Sequence, residues 1–192
     1  MLSERARRYL ASLQRLAPVP TAEVERALRR QGLQCYPAWL DFHERYAGYV
    51  EPIGLEAAVL GIVHAQSRWM VPGAVATVDS YQSEADYFVV CADVHPSYEY
   101  YLGDTGFFRS PWASTFEVKL ERSAARVDFH QRTGAGTWVE WPVPPALVEE
   151  MRRDAREVPE GSDEHFRLLV GERFFALQET GTGRLVDFAT CR

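Results

Sequence analysis

Residues 35–50 read CYPAWLDFHERYAGYV, and the placement of their aromatic residues decides how the chain is built. Pro37 suits the first position of a helix, where its missing N–H costs nothing, and Gly48 suits the residue just past its end. At 100° per residue, Phe42, Tyr46, Trp39, His43, Ala47 and Leu40 fall on one arc, with Asp41, Glu44 and Arg45 opposite. A helix this short is marginal by itself. Its three rings therefore predict a surface to bury against, and a sheet is the expected one. His43 lies inside the arc, so it is expected to be a buried ring with one nitrogen bonded and not a catalytic base.

Working outward toward the N-terminus, Thr21 is expected to cap a helix over about 22–31, with Glu23 and Glu25 in its positive first turn. Val24, Ala27, Leu28 and Gln31 share its inner face up to Gly32. Before it, Leu2, Ala6, Tyr9, Leu10, Leu13 and Leu16 fall at helical spacing, which predicts an amphipathic helix with Arg5, Arg7, Arg8 and Arg15 in solvent.

Toward the C-terminus, from residue 57, the runs AAVLGIVH, AVATVD, DYFVVCADV, SYEYYL, STFEVKLER and ARVDFHQR read as strands. Gly103-Asp104-Thr105-Gly106 predicts a hairpin turn. Pro144 and Pro145 open a helix with Leu147, Val148, Met151 and Ala155 inward, and a shorter helix is expected after Ser162. FFALQ and RLVDF, joined through ETGTG, predict a closing hairpin. The expected class is α+β in a single domain, 1–192. Helices occupy about 2–47, a mostly antiparallel sheet about 57–141, and a helix and hairpin about 144–189.

With 192 residues, 46% hydrophobic and 12% aromatic, the chain is expected to fold around a substantial core. Cys35, Cys91 and Cys191 are odd in number and contain no CxxC pair, which points to plain thiols in a reducing cytosol. The N-terminus alternates arginine with apolar residues and lacks a signal-peptide core, so a cytoplasmic location is expected, with a mitochondrial presequence as the less favoured reading. No run is long enough to span a membrane as a helix.

Charge is unevenly placed. Residues 1–32 hold seven arginines against three glutamates, whereas residues 33–108 hold ten acids against only Arg45 and Arg68. A field of one sign attracts an oppositely charged partner and repels nucleic acid, so no nucleic-acid partner is expected.

Catalytic and metal patterns are sparse. His43, His64, His95, His130 and His165 show no i, i+3 or i, i+4 pairing. Asp93 and His95 project to one side of an expected strand, but no third ligand accompanies them. GxSxG is absent, and the TGTG segment around Thr182 lacks the lysine and helix of a phosphate loop. Glu149-Glu150 and Asp163-Glu164 are expected at helix starts, where the macrodipole accounts for them. No enzyme, cofactor or metal is implied. SYEYYLGDTG alternates Tyr98 and Tyr100 with Glu99 and Tyr101, a composition suited to a partner surface.

The run VERALRRQGLQCYPAWLDFHERYAG, residues 24–48, resembles the opening signature of the SUKH superfamily of bacterial immunity proteins. Pro37, Trp39, Phe42, Tyr46 and Gly48 match its proline, three aromatics and glycine. DYFVVCADVHPSYEYYLGDTGFFR resembles the family's central strands, with Asp104 and Gly106 at its acid-glycine turn. Ala47 stands where the family has asparagine, and Tyr36 where it has leucine. The resemblance covers about a third of the chain. It implies a curved antiparallel sheet backed by helices and a protein that neutralises a cognate toxin domain, such as a basic nuclease or deaminase, in the bacterial cytosol. Charge and position then nominate Glu84, Asp86, Asp93, Glu99 and Asp104 as partner contacts, with Tyr98 and Tyr101 as anchors. The alternatives are a general adaptor or a small hydrolase using Asp93 and His95. Oligomeric state is left open.

Overall fold

The computed structural model describes residues 1–30, 34–53, 56–61, 87–89, 91–92, 101–103, 108–109, 113–134, 137–138 and 143–191. The chain is α+β, and every strand pairing among the described residues is antiparallel. It forms two compact units, a terminal one made of Met1–Ala11 with Pro111–Arg192 and a central one, Ser12–Ser110. No helix among the described residues is long and apolar enough to cross a membrane.

In chain order the helices are α1 (Glu4–Ser12), α2 (Thr21–Arg30), α3 (Pro37–Tyr46), α4 (Phe116–Thr133) and α5 (Pro145–Asp154). The first six strands are β1 (Val50–Ile53), β2 (Glu56–Leu60), β3 (Tyr87–Val89), β4 (Cys91–Ala92), β5 (Tyr101–Gly103) and β6 (Phe108–Arg109). The others are β7 (Thr137–Trp138), β8 (Arg156–Glu157), β9 (Phe166–Val170), β10 (Phe174–Glu179) and β11 (Leu185–Thr190).

In the central unit, β1, β2 and β4 form one small sheet, and β3, β5 and β6 another. Tyr101 pairs with Arg109 and Leu102 with Phe108, which makes β5 and β6, joined through residues 104–107, the antiparallel pair expected around the Gly103–Gly106 turn. Those connecting residues lie outside the described ones. α3 starts at Pro37 as its sequence requires, and Trp39, Phe42, His43 and Tyr46 are all buried. Gly48 ends it at φ +84. Its N–H donates to Leu60 O and its carbonyl accepts from Leu16 N–H, each at 2.8 Å.

That last bond corrects the first helix. α1 stops at Ser12, and Leu13 and Leu16 are not on it. Gln14 and Leu16 instead bond to Val50 and Gly48, because the edge beside β1 offers unpaired backbone groups that a further helical turn would leave unmet. Arg15 is exposed, as expected, while it donates Nε to Ala47 O at 3.0 Å and lies 4.6 Å from the Tyr49 ring centre. Arg5 is likewise engaged, with Glu121.

The terminal unit holds a five-stranded sheet in the order β7-β11-β10-β9-β8. β10 alternates as period-two geometry demands, and a register shift at Leu177/Gln178 brings Leu185 and Phe188 of β11 to the same face. Phe174, Ala176, Leu185 and Phe188 pack with Met151 and Ala155 at α5, while Phe175, Leu168 and Ala189 pack with Ala125 and Phe129 of α4. The sheet thus lies between two helices. The expected closing hairpin is β10 and β11, with Gly183 at φ +69 in its turn.

Two strand expectations fail here. STFEVKLER and ARVDFHQR belong to α4, not to the sheet. Their alternation is overridden by Phe116, Leu120, Ala124, Ala125 and Phe129, a buried set at helical spacing, and by Thr115, whose Oγ1 accepts from Val118 N–H at 3.1 Å as a cap. The helix expected after Ser162 is also absent. A single 3-10 turn, Pro159–Gly161, precedes that residue and strand β9 follows it.

Candidate functional site

Among the described residues, chemistry-bearing side chains gather at the aromatic helix α3 and along α4. In the first, the Trp39 indole N–H donates to the carbonyl oxygens of Leu102 and Gly103, at 3.1 Å each. This bond ties α3 to β5, so the sheet expected beneath the rings is present. Tyr36 meets Trp39 edge-on at 4.8 Å, and Phe42 lies 5.2 Å from Tyr46.

His43 is 1% exposed, and its Nε2 lies 2.8 Å from Val19 O. A carbonyl only accepts, so Nε2 carries the proton. Burial holds the ring's pKa below the usual histidine value, although the bond to Val19 acts in the opposite sense. A neutral ring fixed to backbone is a packing element, as the sequence implied.

On α4, three ionic groups organise the terminal unit. Glu121, 2% exposed, accepts from Ser3 N–H at 2.6 Å and from Ser3 Oγ at 2.7 Å, and pairs with Arg5. Ser3 Oγ in turn accepts from Ala6 N–H, capping α1. Arg122 pairs with Asp163 at 3.1 Å and donates Nε to Gly161 O at 2.7 Å. Asp163 also accepts from the N–H groups of Ser114, His165 and Phe166. Burial pushes its carboxyl up, but the Phe166 N–H, Arg122 and the Ser114 N–H outweigh it and hold the pKa below the ordinary value. Asp163 therefore sits in a turn before β9, not at the helix start the sequence suggested.

The third group joins elements that are distant in sequence. Arg126 pairs with Asp187 of β11, and its guanidinium lies 5.7 Å from the Phe175 ring centre. Tyr9 of α1 bonds Ser123, and burial pushes its hydroxyl up to about 12. Burial also raises the Asp187 carboxyl, against the pull of Arg126 and His130. Thr182 donates to Glu179 within the β10-β11 turn, a hairpin role and not a phosphate cradle.

Of the nominated partner contacts, Glu84, Asp86, Asp93, Tyr98, Glu99 and Asp104 lie outside the described residues, as do His64 and His95. Tyr101 is placed by its backbone alone, opposite Val89 and Arg109 in β5. Among the described residues, no group of three or more His, Cys, Asp or Glu side chains is arranged to hold a metal. Cys35 and Cys191 are partly buried thiols.

Reading α4 as strands hid its residues. The signal that finds them is the helical period of Lys119, Ser123, Arg126 and His130, which share one stripe. No family model matches the chain, and no curated protein or solved structure matches it either.

Proposed function

We propose that the chain is a binding protein that neutralises a cognate toxin domain by direct contact in the bacterial cytosol. The observation that carries this reading is the uneven charge. Ser12–Ser110 contains twelve acids against seven arginines, and the acids are concentrated from Asp41 onward. An acidic surface draws a basic partner, and electrostatic complementarity raises association rates from about 10⁵ to as much as about 10⁹ M⁻¹s⁻¹ at low salt. Rapid capture is what an antidote needs.

Two further points support it. The proline and aromatics that resemble an immunity-protein signature serve to seat α3 on β5. The Asp163 and Glu121 carboxylates of the terminal unit are satisfied by backbone and arginine donors, an arrangement suited to a scaffold.

Partner contacts are assigned to Glu84, Asp86, Asp93, Glu99 and Asp104, with Tyr98 and Tyr101 as anchors. The test is capture of the partner from the host with the tagged chain, followed by expression of that partner alone and together with the chain. Growth arrest relieved by co-expression supports neutralisation. A harmless partner, whose activity the chain merely tunes, would make this an adaptor instead.

A further inference from the structure

Met1–Ala11, which include most of α1, belong to the terminal unit, although Ser12–Ser110 form the central one. α1 is nine residues long, too short to hold its shape alone, and its buried residues are Ala6 and Tyr9. Its seat on α4 depends on polar ties. Glu121 accepts from the Ser3 N–H and Oγ–H and pairs with Arg5, while Tyr9 bonds Ser123. One partner in this set is imperfectly matched. Arg5 Nε is buried and has no hydrogen-bond partner among the described residues, a cost that contact with water would remove.

After α1 the chain bends at Leu13. It is then held again, by different groups. Gln14 O accepts from Val50 N–H at 2.9 Å, Arg15 Nε donates to Ala47 O at 3.0 Å, and Leu16 N–H donates to Gly48 O at 2.8 Å. Leu13 thus separates a short helix with little apolar burial from a segment bonded to the central unit at three successive residues.

We propose that α1 is a strap, hinged at Leu13, that lifts off α4 as one body while the sheet of the terminal unit stays folded. Segments with few buried apolar contacts open in this way at a fraction of the free energy of global unfolding. Ser3 and Arg5 share one carboxylate, so their ties break together and the opening is cooperative. Lifting α1 brings Arg5 Nε into water. It also frees the Ser123 hydroxyl and the Glu121 carboxylate, which is 2% exposed when the strap is down. The strap thereby controls access to an acidic group on α4. None of this depends on toxin binding.

Amide hydrogen exchange of the intact protein, read residue by residue by NMR in a series of low urea concentrations, tests the hinge. The amides from Arg7 to Ser12 are expected to share one protection factor, at least about ten-fold below that of Phe174 to Leu177 in β10, with a weak dependence on urea. Exchange in β10 should rise steeply with urea, because it requires far more surface to be exposed. Glu121→Gln keeps the shape of the side chain and removes the charge that holds Arg5, so it should lower the shared factor of α1 by about ten- to a hundred-fold. Fraying from Met1 would instead give protection that climbs residue by residue along α1. That gradient, a urea dependence in α1 as steep as in β10, or an α1 factor untouched by Glu121→Gln would each overturn the proposal.

Discussion

The Trp39 indole N–H is shared between the carbonyl oxygens of Leu102 and Gly103, 63 and 64 residues further along the chain. One side chain thus closes a long loop and fixes the depth at which α3 sits on β5. Trp39→Phe keeps a ring but removes the donor, so both carbonyls lose a partner and part of the volume is left empty. The expected cost is about 2–4 kcal/mol in urea unfolding. A change under about 0.5 kcal/mol would mean that α3 is held by something else.

Gly48 and Gly134 make a matched pair. Both have positive φ, but a Cβ on Gly48 would lie 2.3 Å from Leu16 O, whereas one on Gly134 would meet nothing within 4 Å. Gly134, at φ 70 and ψ 177, lies in an essentially glycine-only region, so Gly134→Ala should cost about 1–3 kcal/mol, the backbone strain alone. Gly48→Ala should cost clearly more, because Leu16 must move and its bond to Gly48 breaks. Equal melting temperatures for the two variants would contradict this turn geometry.

Removing Asp163 leaves Arg122 buried without its counter-ion, and leaves the N–H groups of Ser114, His165 and Phe166 without their acceptor. Asp163→Ala is expected to cost about 3–5 kcal/mol. Arg122→Ala should cost less, because those N–H bonds keep the carboxylate satisfied. Asp163 has a folded pKa below its unfolded value, so its contribution is full above pH 3.8 and is lost as pH falls through the folded pKa. The Asp163→Ala penalty should accordingly shrink in strong acid.

His43 acts in a higher pH window. Its folded pKa lies below 6.5, so the unfolded chain takes up the proton first as the solution is acidified. Stability from the neutral ring is complete above pH 6.5 and declines below it. His43→Gln retains a donor for Val19 O and has nothing to titrate. Melting temperatures between pH 7.5 and 5 should fall more for the parent protein than for this variant. Parallel curves would show that His43 does not govern the window.

What was legible in the sequence depended on how many signals agreed. At α3, a proline start, a glycine stop and an aromatic arc all gave one answer, and the structure has that helix within a residue. The β10-β11 hairpin was equally plain, with Gly183 in its turn. α4 was misread because Thr115-Phe116-Glu117-Val118-Lys119-Leu120 alternates like a strand over six residues, and only the longer register of Phe116, Leu120, Ala124 and Phe129 reveals its period. Contacts distant in sequence, such as Ser3 with Glu121 or Arg126 with Asp187, left no local pattern to read. The α1 boundary failed for a related reason, since residues 14–16 are claimed by β1 and Gly48.

The most direct test of partner binding is its association rate constant, measured with the captured partner across a salt series for the parent chain and for the triple variant Asp93→Lys, Glu99→Lys, Asp104→Lys. An acidic capture surface predicts a parental rate that falls steeply with salt, and a variant several-fold slower at low salt with a flatter dependence. Rates that coincide at every salt concentration would contradict it.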